Sequence, residues 1–194
     1  MPVEIDVAQR LQTIADATLR IVAEDGVDGV TIRAVAQRVG GSTTLVTNYL
    51  PTRAALLGNA LEHAVRNWGA EMEEALDGVP PHERLAVSTR WACSTGGDDV
   101  VLRRLLMEML GREEPGSAAL AVVRADARSG QETIAAAAAD ANAPDPAFVA
   151  DVLHLVLRGF YLSSLEDPER WHEGRVVPVI DRLVGLLAAA PRPS

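Results

Sequence analysis

Residues 31–50 read TIRAVAQRVGGSTTLVTNYL, and this stretch decides the fold. Apolar residues recur at helical spacing from Ile32 onward, which predicts a first short helix with one buried face. Gly40 and Gly41 follow, and glycine adopts without strain the left-handed conformation in which helices often end. A second helix is predicted to begin at Ser42, because a serine hydroxyl caps free backbone N–H groups well. Two short helices joined by a tight turn outline a helix-turn-helix.

The second of these helices has short polar side chains on its predicted outer side. The inner positions are Val46, Tyr49 and Leu50, and the outer positions are Thr43, Thr44, Thr47 and Asn48. A DNA major groove about 12 Å wide accepts an α-helix, and hydroxyl and amide side chains can hydrogen-bond base edges there. The surface therefore suits sequence recognition in DNA. An ordinary helical hairpin of a bundle, with solvated hydroxyls, is the alternative from these residues alone.

The segments on either side are also helical in pattern. Apolar positions recur every three or four residues over Arg10–Asp25, which predicts a support helix that ends before Gly26. Pro51 and Thr52 predict the start of a longer helix, whose apolar positions continue to Ala64. Three short helices thus precede a long one.

In this order and spacing, residues 10 to 61 resemble the N-terminal domain of TetR-type (tetracycline-repressor-like) bacterial transcription regulators. IADATLRIVAEDG resembles the family's first helix, TIRAVAQRVG its second, and GSTTLVTNYLPTRAALL its recognition helix with the start of the fourth. The resemblance implies that Tyr49 and Arg53 address phosphates, and we include Arg33 of the second helix among the candidates. The remaining DNA contacts that it implies are Thr31, Ser42, Thr43, Thr44, Thr47 and Asn48.

The chain departs from the family pattern at three positions and has a compatible replacement at a fourth. Gly41 stands where a small apolar residue is usual, and Leu50 where phenylalanine is usual. Thr47 replaces a tyrosine that often contacts phosphate. Arg53 replaces a lysine, which keeps the charge and adds bidentate phosphate geometry. These departures leave the predicted fold unchanged.

The composition bounds the chemistry of the chain. Cys93 is the one cysteine among 194 residues, which excludes an internal disulfide framework and a cysteine-based zinc site. Cys93 and His154 stand in no recognisable catalytic setting, and zinc, phosphate-loop and nucleophile-elbow motifs are absent from the sequence. We therefore expect no enzyme, no cofactor and no metal. The start MPVEIDVAQR lacks the pattern of a signal peptide, and we expect a cytoplasmic protein outside the membrane.

The formal net charge of −9 opposes DNA binding, because phosphate neutralisation by Lys and Arg supplies most non-specific affinity. Residues 1–57, however, contain five arginines against six acidic residues, a balance of −1, so the other −8 lies beyond them. Exposed charges more than about 10 Å apart are largely screened at physiological salt. We expect modest non-specific affinity, a shallow salt dependence and specificity that depends on hydrogen bonds.

The rest of the chain has only helical periods, separated by proline and glycine clusters. The predicted helices span residues 52–76, 81–93, 99–111, 117–141, 146–165 and 175–190. With the first three they make nine helices and an all-α fold. We predict a helix-turn-helix DNA-binding domain over 1–51, a ligand-binding and dimerisation domain over 52–194, and a disordered tail, APRPS.

The last two predicted helices carry apolar residues around most of their circumference. They form either the centre of a bundle or a four-helix interface with the same pair in a second copy. The family resemblance favours the homodimer, which also suits two DNA half-sites about 34 Å apart.

Large apolar residues of the middle helices are candidates for a small-molecule site, which is usually an apolar cavity. These candidates are Trp68, Met72, Trp91, Leu105, Met109 and Phe160. Each is an ordinary core residue in the alternative interpretation, and we interpret His154 as a histidine at a helix interface.

Together these patterns predict a ligand-responsive transcription regulator. We expect a repressor that binds a palindromic operator as a dimer and is released by a small-molecule effector. Two alternatives stay open. One is a regulator of the same architecture that activates or responds to a protein, and the other is a helical binding module of the same fold with weak or lost DNA binding.

Overall fold

A computed structural model describes residues 6–94, 96–112, 114 and 116–189, with the backbone alone at 118 and 119. These residues contain nine α-helices and no strand, so the predicted all-α fold is confirmed. The predicted tail APRPS lies outside them. The helices are α1 (Val7–Asp25), α2 (Ile32–Arg38), α3 (Thr43–Thr47), α4 (Arg53–Ala75), α5 (Pro81–Trp91), α6 (Gly97–Arg112), α7 (Ala118–Asp140), α8 (Pro146–Glu166) and α9 (Glu173–Ala188).

Hydroxyl caps begin the helices of the N-terminal part where the sequence predicts them. Thr31, Ser42 and Thr52 each accept a hydrogen bond from the backbone N–H three residues later, at 3.0, 3.2 and 3.1 Å. Helix α1 starts at Val7 and not at the predicted Arg10, because the Asp6 carboxylate caps the earlier turn. Local hydrogen bonds therefore place the helix starts.

Gly40 makes the turn between α2 and α3. Its φ of +69° lies in the left-handed region, where a side chain would be strained, and Gly41 donates its N–H to the Ala36 carbonyl at 2.9 Å. The predicted helix-turn-helix thus has its expected turn, with Gly40 as the left-handed residue. A short 3-10 turn, Val27–Gly29, connects α1 to α2.

The chain folds into two compact units. Unit 1 comprises the described residues up to Asn67 together with Val100–Val123, and unit 2 comprises Trp68–Asp99 together with the described residues from Arg124 onward. Unit 1 thus includes the first turns of α4 and most of α6 as well as α1 to α3. The predicted functional boundary at residue 51 stays a prediction.

The core of unit 1 is formed by the inward positions that the helical periods predict. The apolar pattern predicts inward positions at Ile14, Ala17, Thr18, Ile21 and Val22 of α1, and all are buried. The pattern of α4 predicts the same for Leu56, Leu57, Ala60, Leu61 and Ala64, of which all but the half-buried Ala64 are buried. The buried residues of α1 to α4 include Ile14, Ala17, Thr18, Ile21, Val22, Val35, Ala36, Val46, Leu56, Leu57, Ala60 and Leu61. Burial of these side chains holds the short helices together.

The core of unit 2 joins α5, α8 and α9 with the C-terminal part of α7. Its largest members are Leu85, Leu153, Leu157, Phe160, Tyr161 and Ile180, and Cys93 is also fully buried among them. An ion pair at 2.6 Å between Arg90 Nε and Asp181 Oδ1 links α5 to α9. Helices α8 and α9 therefore each use one face for the core of their own unit.

Helix α8 is long and apolar enough to cross a membrane by length and composition, with a mean hydropathy of 1.4 in its most apolar window. That window is 39% buried, and Val149, Leu153 and Leu157 pack into the core of unit 2. Core packing accounts for this face of the helix.

Candidate nucleic-acid interface and effector site

Helix α3 presents a polar surface that is anchored by one apolar residue. Val46 is fully buried, at 0% exposure, whereas Ser42, Thr43, Thr44 and Asn48 are exposed. Five residues are too few for a helix that is stable alone, so the packing of Val46 keeps α3 in place. Four of the predicted DNA-contacting positions are therefore accessible on α3 and its two capping residues.

Two other predicted contacts of this segment are less exposed. Thr47, predicted to face outward, is half-buried, and its hydroxyl donates to the Thr44 carbonyl at 3.3 Å. Tyr49 is also half-buried, just after the helix has ended. The half-burial of Tyr49 agrees with its predicted inner position, whereas Thr47, the last residue of α3, does not lie fully on the outer side.

The arginines of unit 1 differ in their surroundings. Thr31 and Arg33 are exposed at the start of α2. Arg38 donates two hydrogen bonds to Glu24, at 2.9 and 2.6 Å, which tie α2 to α1. The hydrogen bond from Arg38 lowers the pKa of Glu24 below its ordinary value, and the same bond raises the pKa of Arg38. The charge of Arg38 is thus largely balanced by Glu24. Arg33, by contrast, is an exposed basic side chain in the first turn of α2.

Arg53 has partners that its sequence position did not predict. Its guanidinium donates to the carbonyls of Val30 and Val27, at 3.1 and 2.8 Å, and approaches the Glu108 carboxylate at 3.3 Å. The resemblance implies a phosphate contact for Arg53, whereas the structure directs it toward the turn before α2. Glu108 was missed because it lies 55 residues away and no sequence signal links the two.

The six predicted effector-site residues are divided between the two units. Trp68, Trp91 and Phe160 lie in unit 2, as does the half-buried Met72. Leu105 and Met109 are buried on α6 in unit 1. The structure therefore places the aromatic members in one unit.

These aromatic side chains form a cluster, completed by Tyr161, that joins α4, α5 and α8. The ring centroids of Trp68 and Trp91 are 4.5 Å apart, those of Trp68 and Tyr161 are 6.5 Å apart, and those of Phe160 and Tyr161 are 6.2 Å apart. We call Trp68, Trp91, Phe160 and Tyr161 the aromatic cluster. Its fourth member was missed, although it adjoins Phe160 in the sequence.

Charged groups lie beside the aromatic cluster. Trp68 Nε1 donates to the Asp99 carboxylate at 3.1 Å. The Arg158 guanidinium lies 5.8 Å from the centroid of the Tyr161 ring and pairs with Asp126 at 3.1 Å. The structure thus places both a carboxylate and a cation at aromatic rings.

His154 lies half-buried on α8, one turn before Arg158. Burial lowers its pKa, and the positive charge of Arg158 adds to the shift, so the neutral imidazole is favoured. This agrees with a histidine at a helix interface. Within the ranges that the structure describes, no group of three or more His, Cys, Asp or Glu side chains could hold a metal ion.

Apolar side chains line the outer face of unit 2. Phe148, Leu155 and Leu162 follow one another at intervals of seven residues on α8, and Val179 and Leu186 do so on α9. All five are exposed, Leu155 at 71% and Leu186 at 62%. Seven residues make about two helical turns, so each series lies on one side of its helix. We call these five residues the outer stripe.

Known proteins resemble the chain both in sequence and in fold. The HTH-type transcriptional regulator BetI of Burkholderia thailandensis is 39% identical over 62 residues, which cover 31% of this chain and 32% of that protein. The match thus spans about a third of the curated relative. No protein-family model matches the chain.

Two solved structures align over almost the whole chain. A TetR transcription regulator from Haloarcula marismortui superposes with a TM-score of 0.77 at 18% identity, over 93% of this chain and 97% of that one. The chain has the TetR fold. A transcriptional regulator from Saccharomonospora viridis, solved in complex with choline, has a TM-score of 0.79 at 15% identity, over 92% and 96% of the two chains. The resemblance to TetR-type regulators predicted from residues 10 to 61 is confirmed at the level of the fold, and the similar proteins are described as transcriptional regulators.

Proposed function

We propose that this TetR-type protein is a ligand-responsive transcription regulator, a repressor that binds a palindromic operator in the cytoplasm and is released by a small molecule. The observation that carries the proposal is the exposed hydroxyl and amide surface of α3, anchored by Val46. The 39% identity to the BetI regulator over 62 residues supports a DNA-binding role. The weak-binding module of the same fold remains the rival.

Thr44 and Asn48 are the side chains that we expect to contact bases. They lie four residues apart, on one side of α3 and its cap, and both are exposed. We expect Thr44→Ala and Asn48→Ala each to weaken specific binding by about 1–3 kcal/mol, the value of a good side-chain contact to a base. The measurement is affinity for the operator that the wild-type protein selects from random DNA.

Thr133→Ala is the matched control, because Thr133 is an exposed helical threonine of unit 2 whose hydroxyl donates within its own helix. It should leave operator affinity unchanged. A working DNA-binding protein selects an inverted repeat. Selection of no sequence would support the rival, and wild-type affinity of both α3 variants would refute the proposed contacts.

The second copy that a palindromic operator requires is proposed to pack on the outer stripe. Two features support this. An apolar series at intervals of seven residues on two neighbouring helices suits a four-helix interface. The face that the stripe occupies is also separate from the core face of each helix, so both can be buried at once. A dimer presents two α3 helices to two half-sites about 34 Å apart.

We propose that the effector is a small organic cation that the aromatic cluster recognises. The faces of tryptophan and tyrosine rings attract cations, and quaternary ammonium ligands are bound by such groups of rings. The Asp99 carboxylate at Trp68 adds negative charge beside the cluster. The regulator from Saccharomonospora viridis, which has the same fold, was solved with choline.

Choline and its uncharged isostere 3,3-dimethylbutan-1-ol test this effector class by calorimetric titration. We expect choline to bind at least about ten-fold more tightly, since a desolvated cation–π contact contributes about 2 kcal/mol. Trp91→Phe should weaken the binding of choline. Trp171→Phe is the control, because Trp171 lies outside the cluster beside Arg170 and Arg175. Equal affinity for the two compounds, or binding of neither, would reject a choline-like cation as the effector and leave the DNA-binding proposal standing.

Effector and operator must influence each other equally if release follows from coupled binding. A ligand that weakens operator binding by a given factor must itself be bound more weakly by that factor when the operator is present. Titration of effector with and without operator DNA measures both factors.

An activator would bind the same operator, and a reporter gene placed behind it would distinguish activation from repression.

A further inference from the structure

The Arg53 guanidinium lies at the centre of a charged cluster in unit 1. Its Nε donates to the Val30 carbonyl at 3.1 Å, and its Nη2 donates to the Val27 carbonyl at 2.8 Å. Both Nη atoms also approach Glu108 Oε1, at 3.3 and 3.4 Å. The side chain is 35% exposed. Arg53, the first residue of α4, thus links this helix to α6 and to the backbone before α2.

Glu108 is the most enclosed charged group of this cluster. Its side chain is 15% exposed and lies between Arg53 and Arg112, whose Nε is 3.3 Å away. Asp28, on the 3-10 turn, is exposed and lies 3.5 Å from Arg112 and 3.8 Å from Arg53. Because both Nη atoms of Arg53 lie at one oxygen of Glu108, this carboxylate limits the directions in which the Arg53 guanidinium can point.

The two carbonyls that Arg53 holds belong to the backbone that leads into α2. Val27 begins the 3-10 turn, and Val30 is a fully buried residue directly before the capping residue Thr31. Helix α2 in turn packs against α3. The position of these carbonyls therefore affects the direction in which α3 leaves the unit.

We propose that Glu108 and Arg53 are positioning residues for DNA binding. Glu108 holds the Arg53 guanidinium against the Val27 and Val30 carbonyls, and this contact fixes the backbone that orients α2 and α3. The inference rests on the proposed function, and it differs from the phosphate contact that the family resemblance implies for Arg53. According to this proposal, the negatively charged Glu108 of α6 increases the affinity for DNA.

The sign of the effect of Glu108→Gln distinguishes positioning from simple charge. Removal of a negative charge from a DNA-binding unit should favour binding to phosphates if charge alone matters. Positioning requires the opposite, because glutamine lacks the charge that holds the guanidinium. We expect Glu108→Gln to lower operator affinity about ten-fold. Glu62→Gln is the matched control, since Glu62 also pairs with an arginine in unit 1 but is exposed.

Arg53→Lys and Arg53→Gln separate positioning from a phosphate contact. Lysine keeps the charge but cannot bind two carbonyls and a carboxylate in one plane. We expect both variants to bind operator about ten-fold more weakly, with the slope of log affinity against log salt unchanged. Loss of one phosphate contact would instead reduce that slope by about 0.9, and Arg53→Lys would bind almost as wild type does.

Amide hydrogen exchange gives a second readout that needs no DNA. Peptides covering residues 27–39 should exchange faster in Glu108→Gln and in both Arg53 variants, whereas peptides of α1 in unit 1 and peptides of unit 2 should be unchanged, which shows that both units stay folded. Unchanged exchange over 27–39, or operator affinity equal to or above wild type in Glu108→Gln, overturns the positioning role. Failure of the wild-type protein to select any operator overturns the proposed function itself.

Discussion

Leu155→Glu is expected to convert the proposed homodimer into a monomer and to lower operator affinity by at least about a hundred-fold. Leu155 is the most exposed residue of the outer stripe, at 71%. Full burial of a leucine contributes about 1.5–3 kcal/mol, and a twofold interface contains the residue twice. The substitution also introduces a glutamate from each copy, and these like charges oppose association. A hundred-fold corresponds to about 2.7 kcal/mol, which the lost burial alone supplies.

Sedimentation at micromolar concentration measures the loss of the dimer. A separate titration with operator DNA measures the loss of affinity. Leu110→Glu is the control, because Leu110 is also an exposed leucine, at 53%, but lies on α6 of unit 1. Its substitution should leave the sedimentation coefficient unchanged. A Leu155→Glu protein that still sediments as a dimer would show that the second copy packs elsewhere.

Val46→Asp is expected to destabilise unit 1 by about 3–5 kcal/mol, the usual cost of a buried charge without a partner. Val46 is fully buried and is the one buried residue of α3. A helix of five residues has little stability of its own, so we expect α3 to lose its packing first. The measurement is thermal unfolding followed by circular dichroism, where this loss corresponds to about 10 °C or more.

Thr43→Asp distinguishes loss of folding from loss of DNA contact. Thr43 is exposed at the first position of α3, where a carboxylate interacts favourably with the helix N-terminus. This variant should keep the wild-type unfolding temperature and still lose DNA affinity, because its charge repels phosphate. Equal unfolding temperatures for Val46→Asp and Thr43→Asp would contradict the anchoring role of Val46.

The N-terminal helices were predictable because their signals are local. The hydroxyls of Thr31 and Ser42 bond to N–H groups three residues away, and Gly40 adopts the left-handed turn through its own backbone freedom. Each feature involves a few consecutive residues, and the apolar spacing of α1 adds the buried face. The fold class and most helix bounds follow from such short-range effects.

The predicted site residues stay predictions, but the long-range contacts that some of them make could not be predicted. Arg53 contacts the carboxylate of Glu108, which lies 55 residues later in the chain. Nothing in the sequence of that helix indicates that Glu108 would pair with Arg53. Leu105 and Met109 share the apolar character of the aromatic cluster but lie in the other unit. Composition cannot distinguish these cases, because hydrophobic burial depends on area and carries no information about partners.

Helix periods, caps and turn residues thus predicted from the chain alone the helices of the described residues and the helix-turn-helix that follows α1, since each depends on neighbours within about one helical turn. Packing decided that Arg53 bonds to backbone carbonyls of unit 1, which aromatic rings meet, and which apolar residues of α8 and α9 stay exposed. Those outcomes depend on residues far apart in the sequence, whose approach is set only when the helices assemble.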